Sequence, residues 1–404
     1  MFDKNSKILL ILILILAMVL TGCWDYIDIE KRGYVSVIGI DKFEKEPMKE
    51  IDVGAKDPKD TPENRFSLTY LMTNVDYIVD KADEPNIIYT APGETFYGSS
   101  RVLPTYYDKQ VNFGHLKVAI IDEKVASDEK LFREVLDGFE RDPFINRRLY
   151  MLLTSETAEK VINVEPVSNM VTANFLLDLL ENKTRPARSG NGTISNIYRD
   201  VYWNKNTIIP RVIPGEEDIK VAGSGVIKNL KFEGWLGETD TRSLEIIRGE
   251  AKPEGINLKY NSIENKVAQE GDTWDYIISI ALIYQPSKIK LIEKKKDNIK
   301  ISVEIEVVGT IEEFYFQPKQ DLLNPKTIDF FSESVCKKLT KELEDVTKKL
   351  QKEYKVDVMG IDRRLSTFHP KFWDEVKGDW EEIFPNIDIV INVNTNITQI
   401  GVLK

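Results

Sequence analysis

The sequence predicts a mixed α/β and α+β protein of more than one domain, ending in an antiparallel sheet covered on one face by a long helix. Three observations predict it. Asn298 to Gly309 alternates without a break, Ile299, Ile301, Val303, Ile305 and Val307 on one side and Lys300, Ser302, Glu304 and Glu306 on the other. That is a strand with one dry and one wet face, as in an antiparallel sheet covered on a single side. From Pro325 to Glu353, Ile328, Phe331, Val335, Leu339, Leu343, Val346 and Leu350 recur at steps of three and four, the stripe of an amphipathic helix. The first half instead interleaves short apolar runs with helical patterns, the order of a layered α/β region.

The elements follow in chain order. Tyr34 to Asp41 reads as a strand that Gly39 breaks or bulges, and Arg65 to Met72 as a second. Pro47, Pro58, Pro62, Pro85 and Pro92 punctuate polar loops between Asp41 and Glu94. Gly114 opens a strand from His115 to Asp122. Ser127 is placed to cap a helix whose apolar face is Leu131, Phe132, Val135, Leu136 and Phe139. Arg147 to Thr154 is a strand, and helices are expected over about 156–163 and 166–181. Residues 182–192, rich in Gly, Arg, Asn and Ser, read as a linker, and Ile208 to Gly215, with two prolines, as a second junction. Strands follow at Ile219 to Ile227, Trp274 to Tyr284 and Ile387 to Ile397. Asn324 and Pro325 start the long helix, and Cys336 sits half-buried at the edge of its stripe.

Length and charge bound the function. The chain has 404 residues, and removing a leader of 22 leaves 382, too many for one ordinary core. The expected division is a signal peptide at 1–22, an N-terminal α/β region at 23–215 divisible near 182–192, and a C-terminal α+β domain at 216–404. The net charge is −11, and the leader's Asp3, Lys4 and Lys7 leave −12 on the remainder. Nucleic acid calls for a basic face, and an acidic chain is repelled by an anionic membrane, so neither is held by the overall charge.

Catalytic and metal patterns are absent. His115 and His369 stand alone, away from any H-E-x-x-H or paired cysteines. There is no G-x-S-x-G elbow or Walker loop, and no cofactor site is expected. Gly223-Ser224-Gly225 reads as a bulge or close backbone approach. Glu216-Glu217-Asp218 is a solvated loop. Asp137, Glu140, Arg141 and Asp142 are structural ion pairing rather than an acid–base set. Trp235, Trp373 and Trp380 are packing residues before they are partner anchors.

The N-terminus is the most informative stretch. Ile8 to Leu20 is an unbroken run of thirteen apolar residues after Lys4 and Lys7, too short for a membrane span and the length of a signal-peptide core. Leu20-Thr21-Gly22-Cys23 follows and resembles a lipoprotein acylation box. Lipid attachment at Cys23 is expected, with the acyl chains as membrane anchor. Cys336 is then the one cysteine left, so no disulfide forms within the chain.

Taken in order, the residues resemble the Ger(x)C spore-germination lipoproteins. The resemblance is carried by Gly22-Cys23-Trp24-Asp25, Gly39-Ile40-Asp41, Gly93-Glu94-Thr95 with Arg101, Phe113-Gly114-His115-Leu116-Lys117-Val118, Arg141-Asp142, Arg147-Arg148, Gly223 to Val226, Gly234-Trp235-Leu236, Asp357-Val358-Met359-Gly360, Pro370, Trp373, Trp380 and Phe384. Asp28-Ile29 departs from the usual Glu-Leu, and Pro104-Thr105-Tyr106-Tyr107 argues against the helix the pattern places after Thr95. The resemblance implies a non-enzymatic multidomain lipoprotein on the outer face of the spore inner membrane, the C subunit of a nutrient germinant receptor working with membrane-embedded A and B subunits. The alternative is a free-standing solute-binding lipoprotein of a transporter, which calls for a cleft between two similar lobes.

Overall fold

The computed structural model describes residues 28, 31–44, 63–78, 82–105, 107–166, 172–182, 188–261, 266–268, 272–274, 276–295, 298–313 and 325–400. Cys23 and the leader lie outside them, as do Asn324, Pro47, Pro58 and Pro62.

The first sheet is built from β1 (Arg32–Lys42), β2 (Phe66–Thr73), β3 (Asn86–Gly93), β4 (Gln110–Asn112), β5 (Val118–Asp122), β6 (Tyr150–Thr154), β7 (Thr207–Pro214), β8 (Ile219–Lys228) and β9 (Lys231–Leu236). Their order is β3-β2-β1-β5-β6-β7-β8-β9, with β4 also beside β1. β1, β5, β6 and β7 run parallel, while both flanks are antiparallel. β5 is buried at every position, as a parallel strand covered on both faces must be. On one face α1 (Phe96–Val102), α2 (Glu129–Arg141) and α5 (Ile194–Asn204) pack on Ile38, Ile40, Ala119 and Ile121. On the other, α3 (Ala158–Ile162) and α4 (Thr172–Glu181) pack on Val37, Val118, Ile120 and Leu152.

Several family motifs are capping and close-packing devices here. Gly39 does not break β1. It lies under α3, where an added Cβ would stand 2.8 Å from Ile162 Cδ1 and 3.0 Å from Ala158 Cβ. Asp41, two residues on, accepts the N–H groups of Ala158 at 2.6 Å and Glu159 at 3.0 Å, closing the start of α3. Thr95 caps α1 by accepting Gly98 N–H at 2.9 Å. The helix after Thr95 therefore forms despite Pro104, which falls in a 3-10 turn at Leu103–Thr105.

Other expectations are corrected. Pro92 lies inside β3, at the open edge of the sheet where a missing N–H costs no ladder bond. His115 to Lys117 and Arg147 to Leu149 are turns, so β5 and β6 start later than expected. Asp128, not Ser127, caps α2, because Ser127 closes the short turn Glu123–Ala126. Residues 208–214 are not a junction but β7, whose Pro210 and Pro214 sit in an antiparallel pairing interrupted by a bulge. The turn at 215–218 joins β7 to β8 within one sheet, and Glu216, Glu217 and Asp218 are exposed there.

The second sheet contains β10 (Glu254–Asn261), β11 (Lys266–Val267), β12 (Tyr276–Tyr284), β13 (Lys288–Lys295), β14 (Asn298–Glu313) and β15 (Asp388–Ile400). It is antiparallel except that β15 runs parallel to β14, from Lys300↔Asp388 to Ile311↔Ile400. The return to parallel is possible because the helical segment 325–384 carries the chain back across the sheet. The five alternating residues of β14 are all buried. Over them lie α6 (Glu238–Arg248) and α7 (Pro325–Lys348), the latter presenting Phe331, Val335, Leu339, Leu343 and Val346. α7 continues as a π-helical turn, Lys349–Tyr354. Ile328 and Cys336 are half-buried at its edge, and Cys336 Sγ lies 3.1 Å from Val393 O. α8 (Ile361–Phe368) and α9 (Pro370–Val376) lead back to β15.

Candidate functional site: the seam between the two sheets

The densest polar chemistry lies where α5, from the first unit, meets α6 and α8 of the second. Its local origin is Asp357-Val358-Met359-Gly360. Gly360 is at φ +80° immediately before α8, a backbone conformation that favours glycine. Lacking a side chain, it cannot cap the helix. Asp357 does so from three residues back. Its Oδ1 accepts the N–H groups of Met359 at 3.1 Å, Gly360 at 3.1 Å and Ile361 at 3.4 Å. Its Oδ2 accepts Asp362 N–H at 2.9 Å and the Trp380 indole N–H at 3.2 Å.

Asp362 carries the bond across the seam. One oxygen accepts Trp203 Nε1–H at 2.9 Å and Asn204 Nδ2–H at 2.7 Å, both from the last turn of α5. Beside it Asp200 accepts Arg363 Nη2–H at 3.0 Å and faces Arg248 Nη2 at 3.6 Å. Arg248 also donates to Val358 O at 2.7 Å. Burial pushes both carboxyls of the Asp357–Asp362 pair upward, against the N–H groups that favour their charged forms. Asp362, further raised by the neighbouring Asp357 charge, reaches about 7. Cavities of about 370 Å³ and 450 Å³ flank this pair, lined by Trp203, Asn204 and Asp362 among others.

Further polar clusters lie at or beside the seam. Arg242 on α6 is buried between Glu254, 2.5 Å from its Nη1, and Glu342 on α7. Arg188, from the segment expected as a linker, reaches Glu238 at 3.2 Å, and Gly190 N–H donates to Ser224 Oγ at 3.2 Å. Residues 188–192 are thus packed against the first sheet and α6. Glu245 lines a third cavity of about 330 Å³ and is pushed up to about 7 by burial. Trp235 on β9 ties the turn after α7 to the first sheet. Its carbonyl accepts Tyr354 OH at 2.9 Å and Lys349 Nζ at 3.3 Å, and its indole donates to Glu123 at 2.9 Å.

The residues singled out in the sequence fall as follows. Trp373 and Trp380 pack edge to face at 5.4 Å, and Trp235 packs on Phe232. Arg141 pairs with Asp137 at 2.8 Å. His115 lies in a turn against Tyr34, and His369 separates α8 from α9. At Gly223, φ is +79° and an added Cβ would stand 2.6 Å from Leu236 O, a close backbone approach. Among the described residues no group of three or more His, Cys, Asp or Glu could hold a metal ion. Asp200, Trp203, Asn204 and Asp362 were not foreseen. The signal for Asp357 was present as an aspartate three residues before a glycine that starts a helix. Nothing local marks its long-range partners.

This is a two-sheet α+β body whose halves are joined through buried carboxylates and arginines. Residues 25–214 match the family described as "Spore germination protein N-terminal domain", and residues 222–401 that described as "Spore germination B3/ GerAC like, C-terminal". The chain belongs to this GerAC-type family of spore germination proteins. Spore germination protein YndF of Bacillus subtilis (strain 168) is 27% identical over 416 residues, covering 99% of this chain and 98% of that protein. Spore germination protein B3 of the same organism is 25% identical over 407 residues, covering 98% of each. The solved structure titled "Crystal Structure of the GerBC protein" has the same fold, with a TM-score of 0.56 at 20% identity over 82% of this chain and 93% of that one.

Proposed function

We propose that the protein is the lipid-anchored, non-enzymatic C subunit of a nutrient germinant receptor. It sits on the outer face of the spore inner membrane and works there with membrane-embedded A and B subunits. The observation that carries this reading is the family match over nearly the whole chain beside Leu20-Thr21-Gly22-Cys23. Among the described residues no helix is long and apolar enough to cross a membrane, so attachment through the described body needs another device. Acyl chains at Cys23 supply one, at ~0.8 kcal/mol per buried CH₂. Confinement to a surface raises the effective concentration of the body near membrane partners without new contacts.

The seam supports a mechanical rather than a chemical role. The Asp357 carboxyl accepts five N–H donors, and Asp362 accepts donors from α5 and its own helix. The Asp362 bonds tie one unit to the other. The two sheets also differ in topology, unlike the paired lobes that a solute-binding protein requires. Replacing Cys23 by Ala tests the proposal. The variant is expected to leave the membrane fraction and to impair nutrient-triggered germination. Full membrane retention with wild-type germination contradicts it.

A further inference from the structure

We infer that one end of the first sheet lies on the bilayer, with Arg32, Lys117, Arg147 and Arg148 against anionic lipid headgroups and Phe144 and Tyr202 in the interfacial layer. This rests on lipid attachment at Cys23. The parallel strands β1, β5, β6 and β7 all begin at this end. Cys23 precedes Asp28 by five residues, a span of at most about 18 Å. The far end of β1, ten residues beyond Arg32, is about 33 Å away along the strand. Acyl chains at Cys23 therefore hold this end, not the opposite one, nearest the membrane.

The side chains collected there suit that neighbour. Lys117 lies just before β5, bonded through its backbone to Ser36 on one side and Tyr150 on the other. Arg147 and Arg148 lie just before β6, in the turn that Asn146 closes. Lys117, Arg147 and Arg148 are exposed and Arg32 is half-exposed. None of the four has a carboxylate within ion-pair distance among the described residues, where many other cations of this acidic chain are paired. Phe144 is 69% exposed, the most of any large apolar side chain described, and Tyr202 on α5 is 64% exposed. Arg147 stacks on Tyr198, which in turn stacks on Tyr202, so the turn and the helix present one continuous surface. Aromatic rings beside Arg and Lys make up the composition of a membrane interface.

Several carboxylates at this end are engaged. Asp28 pairs with Lys31, Asp142 accepts Phe144 N–H and Tyr97 OH, and Glu140 holds the Tyr202 hydroxyl. Asp108 is exposed and has no partner among the described residues. The acidic connection carrying Asp83 and Glu84 lies on the other side of β1, beyond β2.

The test uses the full acylated chain in phosphatidylcholine vesicles with and without phosphatidylglycerol. A fluorophore is placed at Phe144→Cys or Glu216→Cys in a Cys336→Ser background, and quenching by headgroup-labelled lipid is read. Glu216 lies at the opposite end of the sheet. The expected result is strong quenching at 144 and little at 216. Lys117→Glu with Arg148→Glu is expected to reduce the contact population on anionic vesicles by at least roughly fivefold per charge removed, with less effect on neutral ones. Vesicle-bound protein quenched equally at both positions overturns the orientation while leaving the anchor intact. Wild-type protein that does not associate with either vesicle overturns the anchor and the inference together.

Discussion

Replacing Asp357 by Ala removes the acceptor on which both α8 and Trp380 depend. Five N–H groups lose their partner. Gly360 is half-exposed and water can serve its N–H, but Asp362 N–H and the Trp380 indole are buried. Loss of a helix cap costs about 1 kcal/mol, and an orphaned buried donor about 1–3 kcal/mol. Removing a charge that burial disfavours gives part of this back. The expected destabilisation is about 2–4 kcal/mol. Asp357→Asn keeps one oxygen for the three N–H groups at the start of α8 but turns an amide donor toward Asp362 N–H and Trp380. Its expected cost is about 1–2 kcal/mol. Urea denaturation followed by tryptophan fluorescence, read on the transition of the second sheet, measures both. A change below about 0.5 kcal/mol for the alanine variant, typical of a surface substitution, refutes the assigned role of Asp357.

The remaining predictions concern the seam and the cores. Asp362 has a folded pKa of about 7, above its ordinary value of 3.8. The folded state therefore binds its proton more tightly, and this stability is full below the unfolded pKa and lost as pH rises through the folded one. Stability is expected to fall between about pH 4 and 7, and Asp362→Asn to flatten that fall in denaturation curves taken across the range. Arg242→Met takes from buried Glu254 its close partner and leaves it, among the described residues, only Arg188 Nε at 4.0 Å, at a cost of about 3–5 kcal/mol in the same urea assay. Gly223→Ala forces a Cβ against Leu236 O at positive φ. It is expected to lower the melting temperature through a loss of more than about 1 kcal/mol. Leu343→Ala empties the middle of the α7 stripe, for about 2–5 kcal/mol.

What the sequence disclosed, and what it withheld, follows from the range of the interactions involved. The β14 alternation and the α7 stripe are local periodicities imposed by a single core, and both elements appear where the pattern places them. Strands β3 and β7 were missed because Pro92, Pro210 and Pro214 read as loop signals, although proline is tolerated at an edge or beside a bulge. α5 went unseen because it mixes buried Ile194, Ile197 and Tyr198 with polar and exposed aromatic residues. Its Asp200, Trp203 and Asn204 make the seam. Asp362 and Trp203 are far apart in sequence, and no spacing rule joins them. The family motifs Gly39-Ile40-Asp41 and Asp357-Val358-Met359-Gly360 were legible as patterns. Their work as caps became visible only with α3 and α8 in place.

The account turns on the modification of Cys23. Mass spectrometry of the N-terminal peptide, taken from protein extracted from membranes, tests it most directly. The expected peptide begins at Cys23 and carries a thioether-linked diacylglyceryl group. A peptide that still contains the leader, or begins at Cys23 without lipid, contradicts the account.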